Sequence, residues 1–116
     1  MDVIIETLTY DGAAGCVVIN GTRKVPASSI LRFIDQICIA KGSTLRGRKD
    51  AFVALTGQRR YVPVYVEEGL ILVPDRAAGD LDCIWHNWCL QDGRDLSAGS
   101  RHIREFLRKI HAPLEV

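Results

Sequence analysis

Apolar and polar positions along the first 26 residues follow the pattern of short β-strands. Residues 3–10 are apolar and β-branched, and residues 16–19 follow as a short buried strand. Asn20-Gly21 comes directly after them and is the strongest hairpin signal in the chain, because both residues tolerate positive φ. We therefore predict a three-stranded antiparallel meander whose last strand covers 22–25 and ends at Pro26.

The apolar spacing then changes to that of a helix. Four apolar residues lie at i, i+3, i+4 and i+7 and form one face: Ile30, Phe33, Ile34 and Ile37. This spacing predicts a helix over 29–41, with Ser28 as its N-cap and Gly42 at its C′ position.

A second helix is predicted over 44–56, with Ser43 as its N-cap and Gly57 as its terminator. Leu45, Phe52 and Leu55 would face inward. Gly47 opposes this helix by about 1 kcal/mol relative to alanine. Cations in its first turns oppose the helix dipole, which suggests that they serve a ligand.

The second half of the chain predicts a hairpin, a further strand and a final helix. The hairpin joins 61–66 to 70–73, and Pro63 indicates that its first strand either lies at a sheet edge or starts irregularly. Residues 83–90 form the further strand, and Ser97 or Ser100 caps a helix that runs to about His111. Its core stripe is Ile103, Phe106, Leu107 and Ile110.

These elements predict an α+β fold, in which an antiparallel sheet packs with about three helices in a single domain over 1–116. The chain has 116 residues, of which 47% are hydrophobic and 25% charged, as is typical of one globular domain. No apolar run approaches the roughly 20 residues that cross a bilayer, and the start at Met1-Asp2-Val3 does not have the basic segment and long apolar stretch of a signal peptide. We expect a cytoplasmic protein without membrane contact, whose cysteines are reduced.

Charge is strongly segregated along the chain, although the net charge is only +1. Residues 41–60 carry six cations and one carboxylate, Asp50, for a net charge of +5. Residues 101–111 carry a net +3, whereas residues 61–100 carry a net −5. A local basic zone can bind a polyanion even in a nearly neutral protein. The alternative is that these charged side chains only form solvated faces of the protein and bind no ligand.

The basic zone begins at 42–49, where glycine, hydroxyl groups and cations are concentrated. Arginine and lysine bind phosphate through charge-assisted hydrogen bonds, and the N–H groups at a helix start add partial positive charge. The predicted nucleic-acid contacts are Ser43, Thr44, Arg46, Gly47, Arg48, Lys49, Arg59 and Arg60. Arg101, Arg104 and Arg108 form a second basic face on the final helix, opposite its core stripe.

Metal binding and catalysis have weaker signals. Cys83, His86 and Cys89 are zinc-type ligands, but a strand would turn His86 to the other face and separate the two cysteines by about 20 Å. Neither a nucleophile elbow nor a P-loop order is present. We predict no enzyme activity, no metal and no cofactor. Of Trp85 and Trp88, we expect one in the core and one at an interface.

Five short motifs together resemble the bacterial competence transcription factor family (ComK), over roughly residues 28–90. They are Cys38 followed by Gly42-Ser43-Thr44, Gly47-Arg48-Lys49, Tyr61-Val62-Pro63-Val64, Ile71-Leu72-Val73-Pro74, and Asp82-Cys83-Ile84-Trp85 with Asn87. The chain departs from the family at His86 and at Pro74-Asp75-Arg76, and its region after Leu90 is much shorter than in the long members.

The resemblance implies a transcriptional regulator that recognises A·T-rich duplex DNA, largely through the minor groove, and acts as an oligomer. A homodimer would form through the Pro63 edge strand or the final helix. The alternative is a regulator from a mobile element that uses the same basic surface on a host protein or RNA-containing complex. An anti-CRISPR-type inhibitor of an RNA-guided nuclease would be one example.

Overall fold

A computed structural model describes residues 3–90 and 99–111, and within them six strands form one antiparallel sheet with three α-helices. The strands are β1 (Thr7–Asp11), β2 (Cys16–Ile19), β3 (Arg23–Pro26), β4 (Val64–Glu67), β5 (Leu70–Pro74) and β6 (Trp85–Asn87). The helices are α1 (Ile30–Ile39), α2 (Leu45–Thr56) and α3 (Gly99–Ile110), and a short 3₁₀ helix covers Trp88–Leu90. The predicted α+β fold is confirmed.

The sheet consists of two meanders joined in the middle. Its strand order is β3-β2-β1-β6-β5-β4, so β1 pairs with β6 although most of the chain separates them. The junction is short, with Thr7 opposite His86 and Leu8 opposite Trp85. The predicted first meander is confirmed, but its first strand begins at Thr7 rather than at residue 3.

The side chain of Asn87 forms hydrogen bonds across the junction between the meanders. Its side chain is 1% exposed, and its amide donates to the carbonyls of Ile5 at 2.8 Å and Gly69 at 3.0 Å. Its Oδ1 accepts from the backbone N–H groups of Ile71 and Cys89. The nitrogen and the oxygen of this buried amide are therefore both hydrogen-bonded to backbone groups in or next to the two meanders.

The two faces of the sheet pack against different helices, because neighbouring strand residues point to opposite sides. On one face, Leu8, Ile19 and Leu72 pack in a cluster that includes Phe33 and Ile34 of α1. On the other face, a second cluster joins β5 to α2 and α3. Its buried members are Phe52, Val62, Ile71, Val73, Ile103 and Phe106.

Helix α2 passes around the β4 edge of the sheet. Leu45 in its first turn packs against the α1 cluster, whereas Phe52 near its end is buried in the cluster on the opposite face. Helix α2 itself therefore takes the chain from one face to the other. Leu45, Phe52 and Leu55 are turned inward as predicted, with Phe52 the only one that is fully buried.

The helix starts differ by one residue from the sequence prediction. Ser29, not Ser28, caps α1 by accepting from the N–H of Arg32, and Thr44, not Ser43, caps α2. Helix α1 ends with Ala40 as its C-cap, so Lys41 occupies the C′ position, and Gly42, at φ +111° and predicted at C′, lies one position further on. In each pair of adjacent hydroxyl residues, the second has the extended backbone that an N-cap requires.

The C-terminal half departs further from the prediction. The strand predicted over 83–90 shortens to β6 and then turns into the 3₁₀ helix, so strand alternation does not extend to Cys89. Ser100 is buried within α3 rather than at its cap, and Ser97 lies outside the described residues. Ile110 is 38% exposed and does not belong to the core stripe. None of the described helices combines the length and the apolar character that crossing a membrane requires.

Candidate nucleic-acid interface

Arg48 is a structural residue, in contrast to its predicted role as a phosphate ligand. Its Nη1 donates to the carbonyls of Tyr65 at 2.7 Å and Val66 at 3.0 Å, and its Nη2 donates to that of Cys38 at 3.1 Å. Its Nε donates to Ser43 O at 3.3 Å. Because β4 pairs only with β5 in the described sheet, Tyr65 and Val66 belong to an edge strand whose outer carbonyls Arg48 satisfies.

The start of α2 is likewise occupied by groups of the chain itself. Thr44 Oγ1 accepts from the N–H of Gly47 at 3.0 Å, and Asp35 Oδ1 accepts from the N–H of Leu45 at 2.9 Å. These contacts satisfy donors that would otherwise be free to bind an anion. A Cβ at Gly47 would lie 3.2 Å from Thr44 Oγ1, so this glycine accommodates the cap. We therefore exclude Thr44, Gly47 and Arg48 from the proposed contact surface.

The remaining cations of the basic zone are accessible. The Arg46 side chain is 93% exposed, and its Nε lies 4.0 Å from Asp50, a separation that is weak for an ion pair on the surface. Lys49 lines a groove between α1 and α2 together with Arg32. Ser43, which does not cap α2, is exposed beside them.

Arg59 and Arg60 extend the exposed cations past the end of α2. Both follow Gly57, which ends the helix as predicted with φ +79°. The Arg60 guanidinium lies 5.8 Å from the centre of the Tyr61 ring, and Tyr61 itself is 49% exposed. The segment therefore presents two guanidinium groups and one aromatic ring to solvent.

Helix α3 carries the second basic face. Arg101, Arg104 and Arg108 are exposed, as the sequence pattern predicted. The Arg104 guanidinium lies 5.9 Å from the centre of the Trp88 ring, and the Trp88 Nε1 donates to Ser100 Oγ at 2.9 Å. Trp88 is half-buried beneath α3, whereas Trp85 is fully buried, which confirms one core tryptophan. Sequence reasoning missed the Trp88–Ser100 pair, because the residues belong to separate elements.

The contact between α2 and α3 places the two basic segments on neighbouring helices, with the arginine row of α3 turned away from α2. The rings of Phe52 and Phe106 stack at 4.9 Å, and Lys109 Nζ donates to Leu55 O at 2.6 Å. Both contacts advance along the two helices in the same direction, so the helices lie parallel and side by side. The cations of α2 and α3 therefore lie on neighbouring helices, whose contacting residues are about 54 positions apart in the sequence.

The described residues offer no alternative chemistry of comparable clarity. No three histidine, cysteine, aspartate or glutamate side chains converge as metal ligands in the described part of the chain. His86 Nε2 lies 3.9 Å from Asp75 Oδ2, on the sheet face opposite to Trp85. Burial raises the pKa of the Cys38 and Cys83 thiols above the ordinary value, which makes both poor nucleophiles.

A comparison of the chain with protein-family models, curated proteins and solved structures finds no match. The resemblance to the competence transcription factor family therefore stays a prediction.

Proposed function

We propose that this protein is a DNA-binding regulator that holds duplex DNA through exposed arginine and lysine side chains. One observation carries the proposal: two helices in direct contact, α2 and α3, both present cations to solvent. The proposed contacts on and after α2 are Ser43, Arg46, Lys49, Arg59 and Arg60. Those on α3 are Arg101, Arg104 and Arg108.

Electrostatics supports a polyanionic partner. Guanidinium groups bind phosphate oxygens with two hydrogen bonds in a fixed geometry, and long exposed side chains can follow a curved backbone. Such contacts orient a protein on DNA but do not read its sequence. A preference for A·T-rich duplex, which the family resemblance implies, would arise when an arginine enters a narrow minor groove.

A salt-titrated binding experiment tests the proposal. Fluorescence anisotropy would compare an A·T-rich duplex, a G·C-rich duplex and a structured RNA of equal length. We expect the A·T-rich duplex to bind most tightly, and its affinity to fall steeply with salt because bound counterions are released. Equal, weak binding to all three would overturn the proposal and favour a protein partner instead.

A pair of charge reversals provides the matched test of the surface. Arg46→Glu reverses an exposed cation in the proposed surface, and Arg23→Glu reverses one on strand β3 at the far edge of the sheet. Arg46→Glu should weaken binding several-fold. It should also reduce the slope of the logarithm of the binding constant against the logarithm of the salt concentration by the equivalent of about one phosphate contact. Arg23→Glu should leave both unchanged. Equal effects of the two variants would mean that net charge, not this surface, drives association.

A further inference from the structure

One half of a sheet face is left open by the described helices. Helices α2 and α3 cover only the β4 and β5 part of their face, because their cluster takes its strand residues from Tyr65, Ile71 and Val73. Across β1, β2 and β3 the same face carries residues that are half-buried or exposed, except Cys16, which is buried at the start of β2. The half-buried or exposed residues are Thr7, Thr9, Asp11, Val18, Lys24 and Pro26, with His86 on the adjoining strand β6 and the Asp75 carboxylate 3.9 Å from it.

The arginine row of α3 borders this open half. Phe106 and Lys109 contact α2, whereas Ser100 and Arg104 contact Trp88, on another side of the helix. At 100° per residue, Arg104 lies nearly opposite the side that faces α2. Trp88 follows β6 directly, and β6 is the strand that joins the two halves of the sheet. Arg104 is therefore turned from α2 toward β6 and the open half, whereas Arg101 and Arg108 are rotated from it by about 60° and 40° toward solvent.

We infer that the backbone of duplex DNA lies in the angle between the arginine row of α3 and the open sheet face, with Lys24 as a further contact. This inference rests on the proposed function and assigns its main contact surface. Arg101, Arg104 and Arg108 span about 10 Å along the helix axis. That length matches roughly three phosphate steps of one DNA strand along the duplex axis.

The character of the sheet face favours a duplex backbone over unpaired bases. Single-stranded nucleic acids bind on exposed aromatic rings that stack with the bases. The described residues of the open face include threonines, a lysine and a histidine, with the carboxylates of Asp11 at the end of β1 and Asp75 beside His86, but no tryptophan, tyrosine or phenylalanine side chain. The Trp88 ring, which follows β6, lies under Arg104. Hydroxyl and cationic groups suit phosphate oxygens instead.

Strand β3 offers an internal control, because its neighbouring cations lie on opposite faces of the sheet. Val25 packs in the α1 cluster, so Arg23, two residues away, shares that face, and Lys24 points to the open face. Both cations are exposed. Reversal of either one therefore makes the same change in net charge at the same edge strand, at positions one residue apart.

The experiment compares Lys24→Glu, Arg23→Glu and the double variant R101E/R108E in anisotropy titrations with the A·T-rich duplex. Circular dichroism and thermal melting verify folding. We expect Lys24→Glu to weaken binding three- to tenfold, R101E/R108E to weaken it more than tenfold, and Arg23→Glu to leave it within twofold. If R101E/R108E failed to fold, the comparison of Lys24→Glu with Arg23→Glu would still decide.

Two results would overturn the inference, and they are distinguishable. If the parent protein binds the duplex with strong salt dependence, but Lys24→Glu matches Arg23→Glu and R101E/R108E binds like the parent, only this placement fails. If the parent protein does not bind duplex DNA, the proposed function fails with it.

Discussion

The Arg48 guanidinium lies 3.1 Å from the carbonyl oxygen of Cys38 and thereby ties the start of α2 to the last turn of α1. The same side chain reaches the carbonyls of Tyr65 and Val66 on β4. One cation thus joins two helices and the edge of a sheet at the place where the chain crosses between sheet faces. A motif that suggested a phosphate cradle in the sequence holds backbone in the structure.

Replacement of Arg48 by alanine should destabilise the fold substantially. Removal of the guanidinium leaves carbonyl oxygens without their donor, and we expect a loss of about 2–3 kcal/mol in the free energy of unfolding. Urea denaturation measures it. The control is Arg46→Ala. Arg46 lies two residues before Arg48 on α2, and its exposed side chain should contribute less than about 0.5 kcal/mol. Equal stabilities of the two variants would refute the role of Arg48 at the edge.

Thr44→Ala should reduce stability by about 1 kcal/mol, because the N–H of Gly47 loses its acceptor at the N-cap of α2. Ser43→Ala should change it by only a few tenths, since the Ser43 side chain does not cap the helix and only its backbone carbonyl receives Arg48. Denaturant midpoints of the two variants compare neighbouring hydroxyls directly. A larger effect at Ser43 would contradict the cap assignment.

The Trp88–Ser100 hydrogen bond should couple α3 to the end of the sheet. Ser100 is 1% exposed, so Ser100→Ala would leave the indole N–H of Trp88 without its partner and cost about 1–2 kcal/mol. In a double-mutant cycle with Trp88→Phe, Ser100→Ala should cost less once the donor is absent. A coupling energy near zero would show that the bond contributes nothing to the docking of α3.

Cys89 should be the first thiol to react in the folded protein, because Cys16, Cys38 and Cys83 are buried and Cys89 is exposed. Partial burial nevertheless raises the pKa of Cys89 above its ordinary value, so its alkylation should be slower at neutral pH than that of a fully exposed thiol and should accelerate as the pH rises toward that pKa. Mass spectrometry after iodoacetamide treatment measures the labelled sites. Cys89→Ser should abolish the early modification, and rapid labelling of Cys38 would contradict the described core.

Burial also links the pKa of Cys38 and Cys83 to stability. Both pKa values are raised in the folded state, so the folded protein prefers the neutral thiols. The resulting contribution to the free energy of unfolding is complete at pH values below the pKa of these thiols in the unfolded chain. That contribution is lost as the pH rises through the folded values.

The sequence by itself determined the class of fold and the order of its elements. Hydrophobic periodicity separates strands from helices locally, and Asn20-Gly21 and Gly57 mark turns through backbone preferences that do not depend on distant contacts. The exposed row Arg101, Arg104 and Arg108 follows from helical spacing for the same reason.

Only the tertiary structure decided which cations are free to bind a ligand. Arg46 and Arg48 are both arginines in the first turns of α2, and composition cannot distinguish them. Their roles separate because α2 passes around the β4 edge, which brings Arg48 to backbone carbonyls and leaves Arg46 in solvent. The pairing of β1 with β6 and the seating of Trp88 on Ser100 likewise depend on contacts between residues distant in sequence, which no local pattern encodes.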